Sequence, residues 1–191
     1  MSTSVPGHSA PSAGFEAPLA MLSACHYRIE RQCATLRRLV LHLATDGADI
    51  EARTAAAGVM RYFDTSARQH HADEEESLFP ALIESMTGPD AVCLRALTEG
   101  LAADHRELEA HWQRVRVALE RVVAEGGVSL AASDVEALID SYERHIEREE
   151  RDLLPMAARL LSDDDLEHIG RAMRERRGID SVGRGFFRRR S

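Results

Sequence analysis

Residues 70–80 read H-H-A-D-E-E-E-S-L-F-P and residues 145–155 read H-I-E-R-E-E-R-D-L-L-P. The shared frame, H-x-x-x-E-E-x-x-L-[F/L]-P, recurs 75 residues apart and constrains the fold more than any other feature of the chain. In each copy a His and a Glu stand at i and i+4, so on a helix both side chains point the same way. Four ligand-type side chains from two such helices can meet around metal ions. A ligand phrase said twice implies a centre built from two related halves.

The segments around the phrases carry helical periodicity. Leu19, Leu22, His26, Ile29, Cys33 and Leu36 define a first helix that begins near Pro18 and ends at Asp46-Gly47. Asp49 is placed to cap a second helix reaching about Met86, with Met60, Phe63, Ala67, His70, Glu74 and Leu78 on its inner stripe. Pro80 falls inside that pattern, where proline tends to kink or stop a helix. Gly88-Pro89 is a break, and a third helix spans 89–125 with Leu101, His105, Leu108 and Trp112 on one face. Ser133-x-x-Glu136 reads as a capping box for a fourth helix carrying Leu138, Tyr142, His145, Glu149 and Leu153. Ser162-x-x-Asp165 opens a short fifth helix that Gly178 terminates.

The composition agrees with an all-helical chain: 44% hydrophobic but only 5% aromatic, and few β-branched runs. The expected fold is therefore all-α, an up-down-up-down four-helix bundle with a short fifth C-terminal helix. Residues 1–16 read as a flexible lead-in, 17–161 as the bundle domain, and 162–191 as the short helix and a basic tail. That tail, G-R-G-F-F-R-R-R-S, suits contact with a membrane surface or an acidic partner, or packing on the bundle.

A net charge of −8 argues against nucleic acid as the main partner. No apolar run approaches the roughly 20 residues that span a bilayer, and no secretory signal is evident, so no membrane insertion is expected. Three cysteines without a C-x-x-C pattern exclude a disulfide scaffold or thiolate zinc site. They read as reduced, buried thiols of a cytoplasmic protein.

The other two helices also carry histidines. His26-x-x-x-Glu30 lies on the first and His105-x-x-x-Glu109 on the third, 79 residues apart. Folded antiparallel, the four helices can each aim one imidazole inward: His26, His70, His105 and His145. Glu74 and Glu149 supply carboxylates able to bridge two ions. Imidazole with carboxylate suits iron, manganese or zinc, and the absence of thiolates disfavours copper(I) and iron–sulfur clusters. Between His70 and His71 the register before the proline selects His70, leaving His71 rotated about 100° away, behind the ligands or facing solvent. Glu30 and Glu109 are read either as added ligands or as groups that orient a ligand His or face water. Tyr142 and Trp112 read as core, Cys25 as a buried thiol, and His8, His42, His111 and His168 as structural or surface residues.

With His26, the two phrases and D-H-R at 104–106 in this order, the chain resembles the hemerythrin family, specifically the bacterial HHE cation-binding domains, over about residues 17–160. The resemblance implies a non-haem di-iron centre inside a four-helix bundle, with zinc or manganese as substitutes and O2 or NO as the small ligand. The expected ligands are His26, His70, Glu74, His105, His145 and Glu149. Oxygen-carrying members place a second His where this chain has Glu109, which favours the subset associated with nitric oxide chemistry and iron–sulfur repair. The small cysteine-bearing N-terminal domain common there is absent. The leading expectation is binding or sensing of O2 or NO in a stress- or iron-related role by a monomer or homodimer. The alternatives are a di-iron enzyme acting on nitric oxide or peroxide, and a metal-dependent regulatory interaction protein.

Overall fold

The structure, a computed structural model, describes residues 14–86, 89–125 and 129–179. His8 and the Arg/Phe tail lie outside the described residues.

Helix α1 (Pro18–Thr45) starts with a proline in its first turn, where a missing N–H costs nothing. It ends with the Asp46 N–H on the His42 carbonyl, followed by Gly47 at φ +74°, a left-handed conformation that favours glycine. Asp49 then accepts the Ala52 N–H at 2.8 Å and caps α2 as expected. Helix α2 runs without a break through five segments: Ile50–Tyr62, a π turn at Phe63–Ala67, Arg68–Asp73, a second π turn at Glu74–Leu78, and Phe79–Ser85. Helix α3 is Pro89–Glu125. Helix α4 comprises Ala132–Arg148, a π turn at Glu149–Leu153, and Leu154–Leu160. Helix α5 (Asp163–Arg176) opens with the expected reciprocal capping box between Ser162 and Asp165.

One local expectation is corrected. The box at Ser133 and Glu136 does not form, because α4 already begins after Ala131, which makes no side-chain cap. Glu136 instead takes the guanidinium of Arg37 across the bundle, at 2.8 Å from Nη2. Helix α2 continues through Pro80 to Ser85, close to the expected end near Met86. Both phrase prolines, Pro80 and Pro155, sit just after a π turn. There the Phe79 N–H reaches the Glu74 carbonyl and the Leu154 N–H reaches the Glu149 carbonyl, five residues back. The wider turn re-registers the ladder where the proline lacks a donor and moves away the carbonyl its ring would strike.

Helix α1 packs against α2 and α4, and α3 against the same two, which closes the four-helix ring. Helix α5 folds back onto α1 and onto the Arg68–Leu78 stretch of α2. The apolar interior is divided in two. One cluster gathers Ile29, Leu36, Phe63, Trp112 and Leu138, the other Leu22, Leu78, Leu101, Leu153 and Met173. The histidines of all four helices occupy the layer between these plugs: His26 and His105 lie one turn from a core residue of each cluster, and His70 and His145 lie one turn from Ala67 and Tyr142 of the first and two turns from Leu78 and Leu153 of the second.

Among the described residues no helix is long and apolar enough to cross a membrane. Cys25 and Cys33 are buried, but Cys93 is exposed, against the expectation of three buried thiols. Gly170 of α5 lies directly under the Phe15 carbonyl, so an added Cβ would collide with backbone. Gly170→Ala is therefore expected to cost about 1–3 kcal/mol, the usual scale of overpacking. Gly58→Ala, in open space on α2, should instead gain up to about 1 kcal/mol. Denaturant melts of the two variants check both signs.

Candidate metal centre

The site is assembled from the helix register upward. His26 of α1, His70 and Glu74 of α2, His105 of α3, and His145 and Glu149 of α4 are all buried and converge on one layer. The i, i+4 spacing within each phrase brings His70 Nε2 to 3.4 Å from Glu74 Oε1 and His145 Nε2 to 3.3 Å from Glu149 Oε1. The helices then exchange partners. Glu74 presents its other oxygen, Oε2, to His105 Nε2 at 3.3 Å. Glu149 presents Oε2 to His26 Nε2 at 3.0 Å. Each carboxylate thus turns one oxygen toward the His26–His70 pair and the other toward the His105–His145 pair, whose Nε2 atoms are 3.1 Å apart.

The donor set fits metal ions. Both oxygens of Glu74 and of Glu149, Nε2 of His26 and both ring nitrogens of His70 are buried without a hydrogen-bond partner. Burying so many unpaired polar atoms in a dry core is costly, and native proteins seldom do it without an ion, water or other partner. Separations of 3.0–3.4 Å match neighbouring ligands around an ion held by bonds of about 2.0–2.2 Å. Two overlapping ligand groups result: His26, His70, Glu74 and Glu149; and Glu74, His105, His145 and Glu149.

Electrostatics describes the same frustration. Burial pushes the Glu74 carboxyl well above the ordinary range, and the neighbouring Glu149 adds to it. Burial pushes Glu149 up as well, but the close imidazoles of His145 and His26 outweigh this and hold it low. Burial pushes His26 down, yet the nearby Glu149 carboxylate and the bond from Nδ1 to Glu150 prevail and raise it to about 10.

Sequence reasoning missed the groups behind the imidazoles. Glu150 lies 2.6 Å from His26 Nδ1, and Glu75 lies 2.6 Å from His105 Nδ1. Carboxylates there fix the ring orientation and leave Nε2 facing inward. The signal was present: the second Glu of each E-E pair serves the histidine of the other half. Asp104, held by Arg148 at 3.2 Å, stands 3.6 Å from His145 Nδ1.

Neither Glu30 nor Glu109 is among the clustered ligand atoms. Glu30 is exposed, and Glu109 is bound on the surface by Arg68 and Gln113. His71 is half-buried rather than solvent-facing. A ring nitrogen of His71 falls near those of His105 and His145, yet its ring stacks on His105 at 4.0 Å and 12°. An imidazole binds a metal in its own plane, and an ion in the plane of one stacked ring lies well off the plane of the other. His71 therefore packs behind His105 instead of sharing an ion with it. Tyr142 is core, 5.5 Å from the Phe63 ring. His42 is paired with Asp49, and His111 and His168 lie on the outside.

Comparison with known proteins gives the family. An uncharacterized protein of Haemophilus influenzae is 31% identical over 162 residues, covering 85% of this chain and 91% of that one. The family described as "Hemerythrin HHE cation binding domain" matches residues 17–157, the span that contains all six converging side chains. The chain belongs to the hemerythrin HHE cation-binding family.

Proposed function

We propose that this protein holds two iron ions between its helices and binds or senses O2 or NO in a stress- or iron-related role. The observation that carries the reading is the placement of Glu74 and Glu149, each with one oxygen toward either imidazole pair. In this reading His26, His70, Glu74, Glu149, His105 and His145 would hold the ions, with Glu74 and Glu149 placed to serve both imidazole pairs. Zinc or manganese can occupy the same donors. Iron bound there would supply an accessible redox couple and a Lewis-acidic centre for a diatomic gas. The protein supplies carboxylate-oriented imidazoles and a dry surround.

A cavity of about 10 Å³ lies against His71, lined also by Phe63, Arg68, Leu108, Glu109, Trp112 and Tyr142 and by none of the six converging side chains. That is room for roughly one water-sized molecule. Free thiols at Cys25, Cys33 and Cys93 fit a reducing compartment such as the cytoplasm.

Metal analysis of freshly purified protein, with an absorbance spectrum recorded before and after admission of air, tests the reading. The expected result is two irons per chain and near-ultraviolet bands that appear on oxidation. Zinc alone, or no stoichiometric metal after anaerobic iron loading, overturns it.

A further inference from the structure

Asp73 immediately precedes the bridging Glu74, and its side chain is wholly buried without being part of the ligand cluster. It is gripped by α5. Arg177 reaches Asp73 Oδ2 from Nη2 at 2.6 Å and Oδ1 from Nη1 at 3.1 Å, and Arg176 Nη1 also bonds Oδ1. Arg176 extends to Glu76 Oε2 at 2.9 Å and to Ser77 Oγ at 3.3 Å. Two adjacent arginines therefore hold the residue before the Glu74–Leu78 π turn and two residues within it.

The second copy is built differently. Its residue corresponding to Asp73 is Arg148, which pairs with Asp104 on α3. Helix α5 itself lies beyond residues 17–157, the span matched by the family. It is anchored apart from the arginine contacts, through buried Ile169 and Met173.

A π turn is one residue wider than the α-helical turn and is the rarer conformation. Relaxing it to regular helix would slip the register by one residue, which rotates one side of the helix by about 100° relative to the other. Glu74 stands at the start of that turn and would leave the layer in which it faces His70 and His105. We propose that Arg176 and Arg177 are positioning residues for the metal centre: acting through Asp73, Glu76 and Ser77, they keep the α2 π turn in register so that Glu74 faces both ion positions. The inference rests on the metal-binding reading but not on the identity of the gas.

Cobalt(II) titration of the full chain, followed by visible absorption and paired with thermal melts, tests it. The Arg176→Ala/Arg177→Ala variant is expected to bind cobalt about tenfold or more weakly, the scale seen for groups that orient metal ligands, with an altered d–d spectrum. Met173→Ala removes a core contact of α5 while retaining both arginines. It should lower the melting temperature and leave affinity and spectrum as in the parent chain. Arg177→Lys, which keeps the charge but not the two-pronged grip, serves if the double variant does not fold, and is expected to show a smaller loss of the same kind. Parental cobalt affinity and spectrum in the double variant, or in Arg177→Lys where that variant stands in, overturn the inference even if stability falls. Equal losses in Met173→Ala also overturn it, because the role is then general docking of α5. Failure of the parent chain to bind cobalt, zinc or iron is the separate result that removes the metal-binding reading, and this inference with it.

Discussion

Replacing Glu74 by Gln is expected to remove stoichiometric metal binding while leaving the metal-free bundle at least as stable as before. The two effects part company because Glu74 carries opposite consequences in the two states. With ions present it is the carboxylate that faces both imidazole pairs, and its loss should weaken binding by more than the roughly 100-fold upper range for groups that merely orient ligands. Without ions it is a fully buried acid whose pKa is raised by burial and by Glu149. A raised acid favours the fold while protonated, below its ordinary value, and that contribution is lost as pH rises through the folded-state value. Chelator-treated parent protein should therefore lose stability with rising pH along a steeper curve than the Gln variant, which has nothing to titrate there. Equilibrium dialysis against zinc or ferrous ion, with calorimetry in chelator, measures both halves. Retention of two ions at parental affinity would sink the bridging role.

Trp112→Ala is expected to cause the largest loss of stability that a single substitution outside the metal layer produces. Trp112 is 2% exposed, its ring lies 4.7 Å from that of Phe63, and its indole N–H donates to Asp64 at 3.0 Å. Truncating such a residue costs about 3–5 kcal/mol, which for a chain of this size lowers the melting temperature by roughly 10–15 °C. Trp112→Phe should cost much less, because ring packing survives and Asp64 retains Arg116. Thermal melts of the two variants separate packing from the polar contact. A small shift for Ala would mean that this plug of the core can collapse around the gap.

What was legible in the sequence was what periodicity and repetition encode. The two phrases, with His26 and His105 in the matching registers, are enough to predict four inward imidazoles and two inward carboxylates, since each depends only on helix geometry. The caps at Asp49 and Ser162 are equally local. The rest was hidden for physical reasons. The run of α2 past Pro80 was legible, but the π turns that absorb both prolines carry no propensity signature of their own. Ser133 and Glu136 have capping-box spacing, but Arg37, far away in sequence, competes for that glutamate. The Asp73 clamp joins residues 103 and 104 positions apart, and no spacing rule reports such a pair. Of the two places read for His71, stacking on His105 selects the one behind the ligands, a contact set by how α2 and α3 meet.

The crossed carboxylates have a consequence for how such a chain can exist at all. Glu75 of the first phrase orients His105 in the second half, and Glu150 of the second phrase orients His26 in the first. Neither half can finish its own histidines. A half-length polypeptide of α1 and α2 alone could complete the set only against another copy of itself, related by a two-fold axis, with each copy lending its second glutamate across the interface. The present chain is a covalent version of that handshake. The Asp73 and Arg148 positions, which correspond in the two phrases, serve different partners and depart from that two-fold relation.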